Sequence, residues 1–310
     1  MKVTVCMINY NQEEFIKEAI ESVLMQECDY DFELLIADDC STDNSKNIIK
    51  NVIKSHPKGY LINLIQREDN LGMTPNFFET LKMCKGDYIA LCDSDDFWRD
   101  KYKLQKQLDF LEKNKDYVVS FHDVTLFDEN SKKINRNYIL EEVKRDYESN
   151  ELVCGAFLMP VTMCFRNVIT NIPHEAYKVT NWDVFLISLL GEFGKAKFMK
   201  NITPAGYRLH QNNISGTLTE VNKNYQRKVV FYYLFKFYKR VKKNNIAYNY
   251  FLKYNRAIKE LIVHSLKDKN RLEFLKLYFS YLFSCIKHGY FERMAYITKD
   301  VLKFTIKKYE

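Results

Sequence analysis

Short apolar runs alternate with amphipathic stretches along the first two thirds of the chain. Residues 2–8 (KVTVCMI), 32–37 (FELLIA), 60–66 (YLINLIQ), 88–92 (YIALC) and 117–122 (YVVSFH) are rich in β-branched and aromatic side chains. Their length and near-continuous apolar character predict strands buried on both faces. Between them the period lengthens. Phe15, Ala19, Ile20, Val23 and Leu24 share one helical stripe, and Asn11 with Glu14 three residues later predicts a capping box before it. Ile48, Ile49, Val52 and Ile53 make a second stripe after the turn at 41–45; Leu104, Leu108 and Leu111 make a third. Strand and helix in alternation predict an α/β fold with a largely parallel, doubly wound sheet.

Such sheets bind ligands outside the carboxyl ends of their strands. Polar clusters fall there repeatedly: Asn9-Tyr10-Asn11 after the first run, Asp38-Asp39 after the second, residues 67–72 after the third and Asp93-Ser94-Asp95-Asp96 after the fourth. Three carboxylates within four residues repel one another. They are tolerated where they face solvent or where they hold a hard cation through oxygen, and the local pattern leaves both readings open.

Residues 221–310 read as helical throughout. Ile258, Leu261, Ile262 and Leu266 share a face, as do Leu272, Leu275, Phe279, Leu282, Phe283 and Ile286. Charge divides the chain at the same place. Residues 1–220 carry 26 Lys and Arg against 34 Asp and Glu, a net −8; residues 221–310 carry 21 against 6, a net +15. We therefore expect two domains, 1–220 and 221–310, the second a basic, aromatic helical appendage. Packing on the first domain, an anionic membrane surface and nucleic acid all suit such a composition. Eight cysteines without a C-x-x-C pair, and a start lacking a long apolar stretch, predict a reducing, cytoplasmic setting.

Taken in order, these residues resemble the inverting glycosyltransferases of family 2 with the GT-A fold, of the type that builds bacterial polysaccharides. The resemblance rests on residues 5–11 (VCMINYN), 36–43 (IADDCSTD), Asn70-Leu71-Gly72, 86–98 (GDYIALCDSDDFW), 103–107 (KLQKQ), Trp182-Asp183 and 207–210 (YRLH), and it covers roughly 1–216. It implies nucleotide contacts at Ile8, Tyr10, Asp38, Asp39, Asn70, Gly72, Asp93, Ser94 and Arg208, with Tyr10 stacking on a base and Asp39 accepting from an imide N–H of uracil or thymine. It also implies a divalent cation, Mn²⁺ or Mg²⁺, held by the Asp-x-Asp pair Asp93 and Asp95, with His210 able to complete the shell. Asp95 is the expected direct ligand, and Asp96 competes with it because the following segment is one residue longer than in some relatives. Asp183 matches the catalytic carboxylate, although relatives often carry the acid where Asn181 stands here.

The expected partners are a nucleotide diphosphate sugar donor and a glycan or lipid-linked oligosaccharide acceptor, with an anionic membrane possible through 221–310 and no nucleic acid. The expected location is cytoplasmic, peripheral on the inner membrane face. A sugar nucleotidyltransferase is the alternative enzyme, but it calls for a Gly-rich loop where Asn9-Tyr10-Asn11-Gln12 stands. A non-enzymatic nucleic-acid or membrane adaptor working through the basic tail is the alternative from a different class.

Overall fold

A computed structural model of the chain describes residues 2–134, 138–210, 219–268 and 270–290. Residues 211–216 of the motif after Tyr207, and the end of the tail from 291, lie outside the described residues.

The alternation read from the sequence becomes β1 (Val3–Asn9), α1 (Ile16–Leu24), β2 (Phe32–Asp38), α2 (Ser45–Ser55), β3 (Ile62–Gln66), α3 (Met73–Met83), β4 (Tyr88–Leu91), α4 (Lys103–Lys113) and β5 (Tyr117–Phe121). There follow β6 (Val124–Asp128), α5 (Ser149–Val153), β7 (Cys164–Arg166), α6 (Trp182–Leu190), β8 (Lys195–Phe198) and β9 (Ala205–Leu209). Three longer helices close the described chain: α7 (Glu220–Arg240), α8 (Asn244–Lys267) and α9 (Arg271–His288).

Seven strands form one sheet in the order β3-β2-β1-β4-β7-β5-β8, and β6 and β9 pair in parallel as a second. The larger sheet is parallel except at β7, which runs antiparallel to both neighbours. Strands β1, β2 and β4 bury almost every side chain, because helices cover both faces; this is why their sequences run apolar instead of alternating. Ile16, Ile20 and Val23 of α1, Ile49 of α2 and Leu104, Leu108 and Leu111 of α4 are fully buried against the strands. Each such side chain contributes about 1.5–3 kcal/mol.

Two local expectations fail. The run 60–66 is not buried on both faces: Tyr60, 80% exposed, and Leu61 lie in a one-turn helix, and β3 is an edge strand with Asn63 and Gln66 exposed. No capping box precedes α1: the helix opens at Ile16 without a side-chain cap. Asn11 instead takes the left-handed region (φ 52°), and its Oδ1 accepts from the Thr42 N–H at 2.8 Å. Asn11 is spent on joining the loops after β1 and β2.

The chain divides into two compact units, Met1–Tyr177 with Trp182–Gly216, and Lys178–Asn181 with Thr217–Glu310. In the second, α7, α8 and α9 bury Leu234, Phe235, Tyr238, Tyr250, Phe251, Ile258 and Tyr281, with the Tyr238 and Tyr250 rings stacked at 5.8 Å. Among the described residues, no helix is long and apolar enough to cross a membrane.

Candidate active site

The carboxyl ends of β1 and β2 are tied together before any ligand is considered. Asn9 Nδ2 donates to Asp38 Oδ1 (2.8 Å) and to Ser41 Oγ (3.2 Å), and Asp38 Oδ2 accepts from the Ser41 N–H (3.1 Å). Asp38 is fully buried and braces the two loops through these bonds. Asp39 is buried as well. Its two carboxylate oxygens accept from the N–H groups of Leu71 (2.8 Å) and Gly72 (2.9 Å), which shapes the loop ahead of α3. Gly72 suits that loop because its φ is +83°, and Asn70 Oδ1 accepts from the same N–H at 3.0 Å. Tyr10 stands 46% exposed at the mouth of β1, with Ile8 half-buried below it.

The carboxylate cluster begins two residues beyond β4, at Asp93. Asp93 and Asp95 are half-buried, whereas Ser94 and Asp96 are buried. Asp96 turns inward and its Oδ1 accepts the backbone N–H of Arg208 (2.9 Å). Asp95 faces His210, with Oδ2 and Nε2 3.1 Å apart. Burial, then the neighbouring charges of Asp95 and Asp183, push the Asp93 carboxyl up to about 7. Burial also raises Asp183, against backbone N–H bonds at the start of α6 that favour its charged form. Asp183 owes its position to Trp182, whose ring stacks on Phe77 of α3 at 3.6 Å. The fold thus brings Asp93, Asp95, Asp183 and His210 toward one another from three separate segments.

Arg208, expected to contact the nucleotide, has its guanidinium bound to groups of the chain itself. Its side chain is 1% exposed, flanked by the rings of Phe15 (4.7 Å) and Phe97 (5.1 Å). It donates to the Asp95 carbonyl (3.0 Å), Ser131 Oγ (2.9 Å) and Glu18 Oε2 (2.7 Å). Arg208 therefore holds the loop that carries Asp95. Gly206 admits this arrangement, since a Cβ there would lie 2.3 Å from the Phe97 ring. Phe15, Glu18, Ser131 and Gly206 were not predicted. They come from three separate stretches of the chain, and no short motif joins them.

The 103–107 stretch is scaffold beneath the same loop. Lys103 is buried with Nζ over the Trp98 ring (4.1 Å) and donates to Gln107 Oε1 (2.6 Å); burial pulls its pKa down to about 8. Gln107 in turn donates to the carbonyls of Ser120 and Thr162.

These donors suit a hard divalent cation. Carboxylate oxygens and an imidazole nitrogen are donors that such an ion accepts, and Asp95 Oδ2 and His210 Nε2 already meet as a hydrogen-bonded pair at 3.1 Å. No three His, Cys, Asp or Glu side chains among the described residues form a complete cage. An ion held here would need further oxygens from phosphate or water, as Mg²⁺-type sites commonly do.

Residues 4–169 match the family described as Glycosyl transferase family 2. The chain belongs to that family. Asp183, Arg208 and His210 lie beyond the matched span, so their assignment rests on the geometry above and on the motif resemblance. An uncharacterized protein of Mycobacterium tuberculosis is 30% identical over 214 residues, covering 68% of this chain and 60% of the relative. The chain thus spans about 60% of the length of the curated mycobacterial relatives it matches. A dTDP-rhamnosyl transferase, RfbG of Shigella flexneri, is 26% identical over 227 residues, 71% of this chain and 77% of RfbG.

Among solved structures, S. aureus TarS 1-349 in complex with UDP-GlcNAc aligns with a TM-score of 0.56 at 14% identity, over 93% of this chain and 92% of TarS 1-349. The mannosyltransferase PcManGT of Pyrobaculum calidifontis, in complex with GDP-Man and Mn²⁺, aligns with a TM-score of 0.54 at 13% identity, over 99% and 86%. At such identities the likeness is one of fold, and the fold is GT-A.

Proposed function

We propose that this chain is a divalent-metal-dependent, inverting glycosyltransferase of polysaccharide biosynthesis, with residues 1–220 carrying catalysis. It moves a sugar from a nucleotide diphosphate sugar to a hydroxyl of a glycan acceptor, lipid-linked in the simplest case. The observation that carries this reading is the meeting of Asp95 and His210 at 3.1 Å beside Asp93, whose pKa is raised by burial, Asp95 and Asp183 together.

Each group then has a task. Asp95 and His210 would hold Mn²⁺ or Mg²⁺ at the donor phosphates; Asp93 lies close behind, and the inward-turned Asp96 braces the loop. The bound cation supplies Lewis-acid stabilisation of the departing diphosphate. Asp183 takes the proton from the acceptor hydroxyl while that oxygen attacks the anomeric carbon from the face opposite the leaving group, so configuration inverts. Burial favours this role, because a carboxylate with a raised pKa is the better proton acceptor. Tyr10 offers its exposed ring to the base. Asp39 retains unused lone pairs for an imide N–H, which favours uracil or thymine. The dTDP-sugar in the name of RfbG supports that preference, whereas the fold neighbours divide between UDP-GlcNAc and GDP-Man.

The protein works at the cytoplasmic face of a membrane, held peripherally through 221–310, where lipid-linked acceptors are presented. The test is a panel of UDP-, dTDP- and GDP-sugars with Mn²⁺, read as release of nucleoside diphosphate. We expect one pyrimidine donor to be consumed. Neither release nor diphosphate binding with any donor would remove the reading, and selective use of a GDP-sugar would remove the pyrimidine preference.

A further inference from the structure

Helix α9 buries one side and exposes an apolar stripe on the other. Leu277, Tyr281 and Cys285 are buried, while Leu272 (80% exposed), Leu275, Phe279 (61%), Phe283 (66%) and Ile286 face outward. Their spacing of three and four residues sets all five on one strip, about 21 Å long at 1.5 Å per residue. Water disfavours so large a contiguous apolar strip, and scattered exposure does not produce it. Lys276 and Lys287 stand exposed beside it, and Arg271 begins the helix.

We propose that this stripe of α9 is the part of the protein that lies in an anionic membrane surface. The inference rests on the peripheral placement proposed above and narrows it from ninety residues to one helix face. Charge complementarity selects the occupant: the stripe is flanked by cations and sits in a stretch of net charge +15, which anionic headgroups attract and a second copy of the same basic surface repels. Two large aromatic rings in mid-stripe suit the headgroup–acyl boundary.

Flotation of the full chain with phosphatidylglycerol-rich vesicles, against vesicles of phosphatidylcholine alone, tests this. The wild type should float with the first and not with the second. Phe279→Glu/Phe283→Glu should partition about tenfold less or weaker still, with helix content, melting temperature and donor turnover unchanged because both rings are solvent-facing. Lys276→Glu/Lys287→Glu keeps the apolar stripe and should lower binding to anionic vesicles alone, which guards against misfolding of the first variant.

Flotation of Phe279→Glu/Phe283→Glu equal to wild type would overturn the proposal. So would a wild-type dimer in light scattering that this variant turns monomeric without any vesicle binding, since a second copy would then cover the face. Flotation without turnover of any nucleotide sugar would leave the membrane face standing and remove the glycosyltransferase reading. Turnover without flotation would do the reverse.

Discussion

Asp183 shows how a single residue is legible in sequence yet placed only by the fold. Its place after Trp182 in the motif pointed to it, and the Trp182–Phe77 stack fixes the helix start that carries it. Asp183→Asn keeps the size while removing the proposed proton acceptor. Turnover should fall by at least about 100-fold, with nucleotide diphosphate affinity by calorimetry unchanged. Arg208 teaches the opposite lesson. A cation in a phosphate-site motif reads as a ligand, and its commitment to Glu18 and Ser131 depends on contacts that no local pattern encodes.

Lys103 makes a separate prediction at this scale. Its folded pKa of about 8 lies below the ordinary 10.5, so between those values the unfolded chain binds more protons than the folded one. Stability from this group therefore rises as pH climbs through that window, and its penalty is complete below about 8. Lys103→Met lacks the effect. The difference in unfolding free energy between wild type and variant should move toward wild type by about 3 kcal/mol between pH 8 and 10.5. Urea melts of both proteins at the two ends of the window measure it, and a pH-independent difference would mean that water reaches the ammonium in the folded state.

At the scale of elements, β1, β2, β4 and β5 were readable because burial on both faces leaves uninterrupted apolar runs, and the three helical stripes because one buried face repeats at helical spacing. Helix α3 was not, because Thr74, Asn76 and Thr80 occupy buried positions and break the apolar period. Strand β7, three residues long, offers no period to read. The loop between β3 and α3 was expected to touch the nucleotide, and what sets its shape is Asp39. Asp39→Ala leaves the N–H groups of Leu71 and Gly72 without their carboxylate acceptor. The loss should be about 1–3 kcal/mol of stability, together with weaker nucleotide binding. Chemical denaturation and nucleotide titration of one variant read both; intact binding would show that the loop keeps its shape unaided.

For the whole molecule, the shift from a net −8 to a net +15 was visible in composition, and the helical tail in its periodicity. How α7, α8 and α9 share their burial was not visible, because aromatic residues occur on every side of these helices. A donor bound across segments from β1 to His210 should stabilise the folded state of the unit as a whole. At free ligand about 100 times its dissociation constant, a nucleoside diphosphate with Mn²⁺ should add about 2.7 kcal/mol, seen as a raised melting temperature. The same nucleotide with a chelator should add much less, and equal shifts would show that the cation takes no part in binding.

The clasp of Arg208 on the Asp95–Asp96 loop has a consequence for the order of assembly. Its contacts join residues 112 and 190 positions apart, and β6 waits for β9 as its partner strand. A ribosome delivers all three carboxylates of the cluster long before it delivers their clasp. Closure over such distances is the slow part of folding. The nascent chain can thus lay down the β1–β4 framework early and acquire an ordered cluster only once residue 210 has emerged, so competence for chemistry arrives late in synthesis.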